Sequence, residues 1–213
     1  MYRFFFRLLR PLGRRIITPV TGMENIPQKP PYILVMNHVG FFDGPAIAMT
    51  TLPYLGEPIQ FLTLNIMWCL WGGPLATRYW GMVRLQPDNV RGSLERMIAL
   101  VRAGKTVGIF PEGGRNTNPG QLMLGKTGAI RMALATGVPL IPVGIRNAMG
   151  FSMLSSFASF FRPDRHIAVH FGKPFDLSAY RNQPITRELL HRATDDLMRA
   201  IGNLVGATIT PHQ

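Results

Sequence analysis

Residues 32–43 read Y-I-L-V-M-N-H-V-G-F-F-D. The first five form a continuous apolar run, the pattern of a strand covered on both faces. The run stops where Asn37 and His38 begin. Residues 43–55 then read as a helix, with Asp43 near its amino end, Pro45 acceptable in the first turn and Pro53 marking the exit. A buried strand, a polar pair and a helix in succession make up half of an α/β unit.

The rest of the chain repeats that pattern. Residues 82–85 read as a short strand, and Leu94, Met97, Ile98 and Val101 give an apolar helical stripe that Gly104 terminates. T-V-G-I-F at 106–110 is the next strand, 126–136 a helix stopped by Gly137, and P-L-I-P-V at 139–143 a strand that Pro139 and Pro142 make short or place at an edge. Residues 166–171 form a further strand carrying His166 and His170. Leu189, Leu190, Ala193, Leu197, Ile201 and Leu204 are the buried stripe of the last helix. Alternating strands and helices predict one layered α/β domain over residues 30–213, with a central mostly parallel or mixed sheet flanked by helices. No Gly-x-Gly-x-x-Gly fingerprint follows any strand, and the Gly-x-x-x-x-Gly-Lys-Thr spacing at 120–127 stands ten residues beyond the strand at 106–110 rather than directly at its exit, so a dinucleotide or P-loop nucleotide site lacks its strand–loop–helix context.

Composition narrows the partners. The 213 residues hold 23 Lys plus Arg against 11 Asp plus Glu, a net charge of +12, yet only 16% are charged and 46% are apolar. Such a chain builds a core and attracts phosphates. No basic block, zinc-finger spacing or aromatic-basic RNA motif accompanies the charge, so nucleic acid is not an expected partner. A single cysteine, Cys69, excludes an intrachain disulfide and points to a reducing compartment.

Residues 1–15, MYRFFFRLLRPLGRR, carry five arginines and no acid among aromatic and aliphatic side chains. Residues 1–29 are therefore expected to form a basic amphipathic arm facing an anionic membrane surface, too short and too interrupted to span it. A short helix packed on the body with snorkelling arginines is the alternative. Two uncharged stretches, 58–77 and 147–161, read respectively as a buried or interfacial helix-loop and as core, acyl-chain groove or bilayer contact. The expected location is peripheral or monotopic, on the cytoplasmic face of a membrane.

Two polar clusters stand at strand exits, Asn37-His38-Val39-Gly40-Phe41-Phe42-Asp43 and Phe110-Pro111-Glu112-Gly113-Gly114-Arg115-Asn116. Strand exits are where α/β folds place their chemistry. His38 suits a general base and Asp43 a carboxylate that fixes its tautomer, provided the five-residue separation is a turn: on a straight helix the two lie about 140° apart. Taken singly, they read equally as a strand-closing histidine and a helix cap. Glu112 and Arg115 bracket glycines that let amides and a guanidinium close around an anion. A tight turn with an internal salt bridge is the alternative. The other histidines show no compact metal-ligand spacing with His38, so no metal is expected. A Gly-x-Ser-x-Gly elbow is absent, and Cys69 lies in apolar sequence away from both clusters, which disfavours an acyl-enzyme.

The order His38-(four residues)-Asp43, then Phe110-Pro111-Glu112-Gly113-Gly114-Arg115, then Val138-Pro139-Leu140-Ile141-Pro142-Val143, resembles the glycerolipid acyltransferase family, lysophosphatidate acyltransferases among them. The likeness runs from about residue 31 to 174 and takes in Lys126-Thr127-Gly128-Ala129. It implies transfer of a fatty acyl group from acyl-CoA or acyl-carrier protein, as substrates rather than bound cofactors, to a lysophospholipid hydroxyl. The leading acceptor is 1-acyl-glycerol-3-phosphate; another lyso-lipid, such as an amino-acid-derived one, or a noncatalytic lipid-binding role are the alternatives. His38 corresponds to the family's general base and Asp43 to its orienting aspartate. Glu112, Gly113 and Arg115 correspond to acceptor-phosphate residues, with Lys126 expected beside them. Asn37, Gly40, Gly114 and Pro139 are expected to shape the site. Three departures stand out: Gly40 where a serine is common, Gly114 where a threonine is common, and Pro87 near the position of a further arginine, a role left to Arg84 or Arg91.

Overall fold

The architecture comes from a computed structural model, which describes residues 11–70, 72–118, 120–159, 161–162 and 164–212. Strand β1 (Ile17–Thr21) follows a helical turn over residues 11–16 (α1). The central strand β2 (Ile33–Met36) leads into α2 (Asp43–Leu55). Next come β3 (Gln60–Thr63), α3 (Asn65–Leu70), α4 (Pro74–Trp80), β4 (Met82–Arg84), α5 (Val90–Arg102) and β5 (Val107–Ile109). The chain continues with α6 (Gly128–Thr136), β6 (Leu140–Asn147), α7 (Met153–Ser159), β7 (Ile167–Phe171), α8 (Ser178–Arg181) and α9 (Arg187–Val205).

Among the described residues one seven-stranded sheet forms, in the order β1-β7-β6-β2-β5-β3-β4. Strands β6, β2, β5, β3 and β4 run parallel, and β7 is antiparallel to β6 while parallel to β1. The sheet is therefore mixed. All four residues of β2 are buried, Ile33 and Val35 in the core beneath α5, α6 and α9, Leu34 and Met36 in the core beneath α2. Covering both faces is why this strand reads as an unbroken apolar run. The chain leaves β2 toward the β3 side, returns to insert β5 beside it, and then crosses to β6 on its other flank. The carboxyl end of β2 is thus the topological switch point, where open α/β sheets leave a crevice.

The helices follow from their stripes and caps. Asn89 Oδ1 accepts from the Gly92 N–H to start α5, and Thr186 Oγ1 accepts from the Leu189 N–H to start α9. Helix α9 buries Leu189, Leu190, Leu197 and Ile201. Each such side chain contributes about 1.5–3 kcal/mol of transfer free energy, against less than about 1 kcal/mol for an exposed ion pair such as Arg91–Glu95. Apolar burial holds the helices in place.

Three expectations change. The strand at 139–143 is neither short nor at an edge: β6 spans eight residues between β2 and β7. Pro139 precedes it, and Pro142 sits one step beyond the Val143–Phe171 pair, where β7 has already ended and the missing N–H costs no ladder bond. The stretch 58–77, read as a helix-loop, begins instead with β3, which pairs with β4 and β5. Within the expected arm, Ile17–Thr21 is a sheet strand paired with β7, because Ile17 seats in the core. Residues 1–10, which carry all the arm's aromatic residues and half of its basic ones, lie outside the described residues. No helix among the described residues is long and apolar enough to cross a membrane.

Candidate active site

The site begins where β2 ends. Asn37, buried, donates through Nδ2 to the Ile145 carbonyl at 2.9 Å and accepts from the Ile145 N–H at 2.7 Å, so its amide continues the β2–β6 ladder by one rung. The next residue is consequently fixed. The His38 N–H donates to Glu112 Oε1 at 2.9 Å, and its carbonyl accepts from the Asn116 N–H at 2.6 Å.

The side chain of His38 is held as firmly. Nδ1 lies 2.9 Å from Asp43 Oδ2, and the ring stacks on Phe110 with centroids 4.1 Å apart. Asp43 is fully buried. Its Oδ2 also accepts from the Val39 and Gly40 N–H groups at 2.7 and 2.8 Å, and its Oδ1 accepts from Asn147 Nδ2 at 2.7 Å. The five-residue separation is therefore a turn in which the carboxylate folds back over its own loop. An oxygen already accepting two backbone N–H bonds acts as acceptor toward the imidazole too. That places hydrogen on Nδ1 and the lone pair on Nε2, which accepts from none of the described residues.

Glu112 serves the loop rather than Arg115. Its second oxygen accepts from the Met123 N–H at 2.9 Å, and its side chain is 3% exposed. Burial raises its carboxyl pKa above the ordinary value, and the bonds from Met123, His38 and Asn116 oppose that rise. The alternative reading is met in part: the chain turns, with the Gly113 N–H donating to the Phe110 carbonyl at 3.1 Å, but among the described residues Glu112 and Arg115 make no salt bridge. Arg115 instead donates from Nη1 to the Phe151 carbonyl at 2.6 Å and lies 4.5 Å above the Phe151 ring, exposed. Gly113 adopts φ +70°, and a Cβ there would come within 2.4 Å of Lys126 Nζ, so the loop and the Lys126 ammonium adjoin. Around Gly114 the space is open, enough for the threonine of the family pattern.

The structure brings His38, Asp43, Asn37, Gly40, Glu112, Gly113, Gly114, Arg115 and Lys126 to the ends of β2 and β5. It sets three expected residues apart. Arg84 closes β4, three strands or about 14 Å from β2 at normal strand spacing, with its guanidinium 5.6 Å from the Trp68 ring. Arg91 sits in the first turn of α5 and pairs with Glu95 at 3.0 Å. Pro139 lies at the opposite end of β2, where its carbonyl accepts from the Ile33 N–H. That is about 16 Å from His38 along an extended strand, so Pro139 shapes the strand and not the site.

One residue escaped the sequence reading. Asn147, the last residue of β6, holds the outer oxygen of Asp43 and is itself set by the Met149 N–H at 2.9 Å. A Cβ at Gly40 would come within 2.2 Å of Asn147 Nδ2. Glycine at 40 and asparagine at 147 are thus a matched pair: the amide occupies the space a serine would need. Nothing in the sequence links two positions more than a hundred residues apart. Among the described residues no three His, Cys, Asp or Glu side chains gather as a metal site.

Comparison with known proteins adds the family. Residues 18–146, more than half of the chain, match the profile of the family described as Acyltransferase. The chain is similar to the 1-acyl-sn-glycerol-3-phosphate acyltransferase of Borreliella burgdorferi, 30% identical over 151 residues, covering 65% of this chain and 54% of that protein. It is also similar to the human 1-acyl-sn-glycerol-3-phosphate acyltransferase alpha, 28% identical over 138 residues, covering 62% and 46%. The chain spans about half the length of these relatives. The crystal structure of the 1-acyl-sn-glycerophosphate acyltransferase PlsC from Thermotoga maritima shares the fold, with a TM-score of 0.66 at 21% identity over 95% of this chain and 80% of that one.

Proposed function

Because the chain belongs to the acyltransferase family, we propose that it transfers a fatty acyl group from a thioester, acyl-CoA or acyl-carrier protein, to the hydroxyl of a lysophospholipid. The leading acceptor is 1-acyl-glycerol-3-phosphate, which gives phosphatidate. The observation that carries this reading is the His38 imidazole at the carboxyl end of β2, its side chain 22% exposed, with Nδ1 engaged by a buried carboxylate and Nε2 bonded by none of the described residues. In the proposed step Nε2 takes the proton of the acceptor hydroxyl as its oxygen attacks the thioester carbonyl. The new C–O bond forms, the C–S bond breaks, and the departing thiolate receives the proton back from the imidazolium. Asp43 holds the productive tautomer and stabilises the imidazolium while it lasts.

Glu112 acts one step removed in this account. It fixes the His38 backbone on one side and the 123 segment on the other. Arg115 and Lys126 supply the cationic rim for the acceptor phosphate, in keeping with an exposed guanidinium whose stem is steadied by Phe151. Arg84 and Arg91 lie toward the far flank of the same sheet end and would meet an acceptor only through a long headgroup. Attachment to the membrane is peripheral or monotopic, on its cytoplasmic face.

The test incubates the purified chain with radiolabelled acyl-CoA or acyl-carrier protein and a panel of lyso-acceptors: lysophosphatidate, neutral lysolipids and amino-acid-derived lysolipids. Labelled phosphatidate appearing fastest with lysophosphatidate supports the reading. Transfer only to another lyso-lipid reassigns the acceptor, and no transfer to any acceptor overturns the enzymatic account.

A further inference from the structure

We propose that the sheet end at which the parallel strands finish is the surface that lies on an anionic bilayer, with α3 and α7 bracketing the His38 crevice and seated in the headgroup layer. The proposal rests on the reading of the acceptor as a lysophospholipid and adds where that acceptor enters.

Topology puts the two helices on one end. Helix α3 follows the carboxyl end of β3 and α7 follows the carboxyl end of β6, and β2 with His38 lies between those strands. Both elements present apolar side chains to solvent. Ile66 is 74% and Leu70 66% exposed in α3, Leu154 is 81% exposed in α7, and just beyond α7 Phe161 is 88% exposed. An apolar groove of about 410 Å³ runs between α1 and α7, lined by Leu12, Leu154, Phe157, Ala158 and Phe161. Monomeric domains rarely cluster apolar groups this way without a partner.

The charge at this end selects the partner. Residues 58–87 and 113–163 contain no Asp or Glu. Arg14, Arg15, Arg115, Lys126 and Arg162 are exposed on its loops and helix ends, and Arg84 at the close of β4. Of its four acids Asp43 and Glu112 are buried, which leaves Asp88 and Asp164, the latter 3.6 Å from Arg165. The opposite end carries Glu24, Glu57, Asp176 and Glu188 alongside its own cations. Apolar side chains ringed by arginine fit a layer of lipid phosphates over acyl chains, whereas a protein partner would leave so many arginines to be matched one by one.

The surface also connects to the reacting groups. Phe157 of α7 packs edge-on against Phe42 at 5.3 Å, and Phe42 against Phe41 at 5.4 Å. Phe42 immediately precedes Asp43. An apolar path thus runs from α7 to the catalytic loop, and Arg115, bound to the Phe151 carbonyl, stands beside its start. A lysolipid rising from the bilayer would keep its chain on the phenylalanines while its phosphate meets Arg115.

The test measures flotation of the full chain with vesicles of 30% phosphatidylglycerol in phosphatidylcholine and with pure phosphatidylcholine. The wild type is expected to bind the anionic vesicles at least tenfold more tightly. The double variant Leu154→Glu, Phe161→Glu should lose at least tenfold and Ile66→Glu several-fold. Ile185→Glu, 62% exposed at the opposite sheet end, should bind as wild type. All four side chains are exposed, so unchanged thermal melts are expected to accompany these results. Acyl transfer to a short-chain, water-soluble acceptor should persist in the variants, while transfer to vesicle-held acceptor falls with binding. The proposal is overturned if the variants at both ends lose binding equally, if the α3 and α7 variants bind like wild type, or if they alter only self-association in sedimentation. The vesicle pattern without turnover of any acceptor upholds the surface and rejects the acyltransferase reading.

Discussion

The molecule contains two imidazole–carboxylate pairs of nearly the same local geometry. His38 Nδ1 lies 2.9 Å from Asp43 and its ring stacks on Phe110 at 4.1 Å; His212 Nδ1 lies 2.7 Å from Asp195 and its ring stacks on His191 at 4.0 Å. Their surroundings differ. Asp43 is fully buried and takes three further hydrogen bonds, from two loop amides and Asn147, at the switch point of the sheet. Asp195 lies on the flank of α9, takes the His212 N–H as its other partner, and so ties the 207–212 segment to the helix. His191, against which His212 rests, has its pKa lowered by burial and by its neighbours His212 and Arg187. A histidine–aspartate contact is therefore a common structural clasp. Chemistry comes from what locks the carboxylate and from the place of the imidazole, at the carboxyl end of the central strand.

Breaking each carboxylate separates the two pairs most sharply. Asp43→Asn is expected to lower acyl transfer by about 10³–10⁴, the cost of a wrong tautomer, while Asp195→Asn leaves kcat/KM within about twofold by the standard of residues outside a site. Steady-state kinetics on folded proteins checks both.

Smaller changes probe the rim and the support. Arg115→Ala should cost about 10–100-fold with phosphate-bearing acceptors, the worth of a charge-assisted bond, and distinctly less with neutral ones; equal losses would remove Arg115 from phosphate recognition. Asn147→Ala frees the outer oxygen of Asp43 and should lower kcat by about tenfold with little change in the acceptor KM. Gly40→Ser drives into the same amide and should fall in the same direction.

The smallest effect belongs to stability. Glu112→Gln offers the Met123 or the His38 N–H a donor instead of an acceptor, a cost of about 1–3 kcal/mol. Because burial raises the Glu112 carboxyl pKa, the folded state binds its proton more tightly than the unfolded chain. Its contribution is full below the ordinary carboxyl pKa and diminishes as pH rises through the raised folded value. Melting curves between pH 4 and 7 should therefore show the wild-type advantage over the amide variant changing through that window and flat above it.

Much of this was legible along the chain because local patterns carried it. The unbroken run of β2, the stripes of α5 and α9 and the five-residue turn from His38 to Asp43 depend on neighbours in sequence. What stayed hidden depends on distant backbone. Ile17–Thr21 has one buried residue and a proline, too weak a signal for a strand, and it joins the sheet only because β7 offers an edge. The prolines of β6 argued for an edge, yet β7 ends where Pro142 lacks its N–H. Glu112 spends its oxygens on amides of residues 38 and 123, and Arg115 finds the carbonyl of Phe151, partners that no spacing rule supplies. Asn147 belongs to the same class.

The two histidines provide the decisive measurement. Purified His38→Ala and His212→Ala, each shown to melt cooperatively, are compared with wild type for transfer of a labelled acyl group to lysophosphatidate. The account predicts that His38→Ala loses at least a hundredfold, as expected for removing a general base, while His212→Ala retains its rate. Full activity in His38→Ala, or equal losses in both, would contradict it.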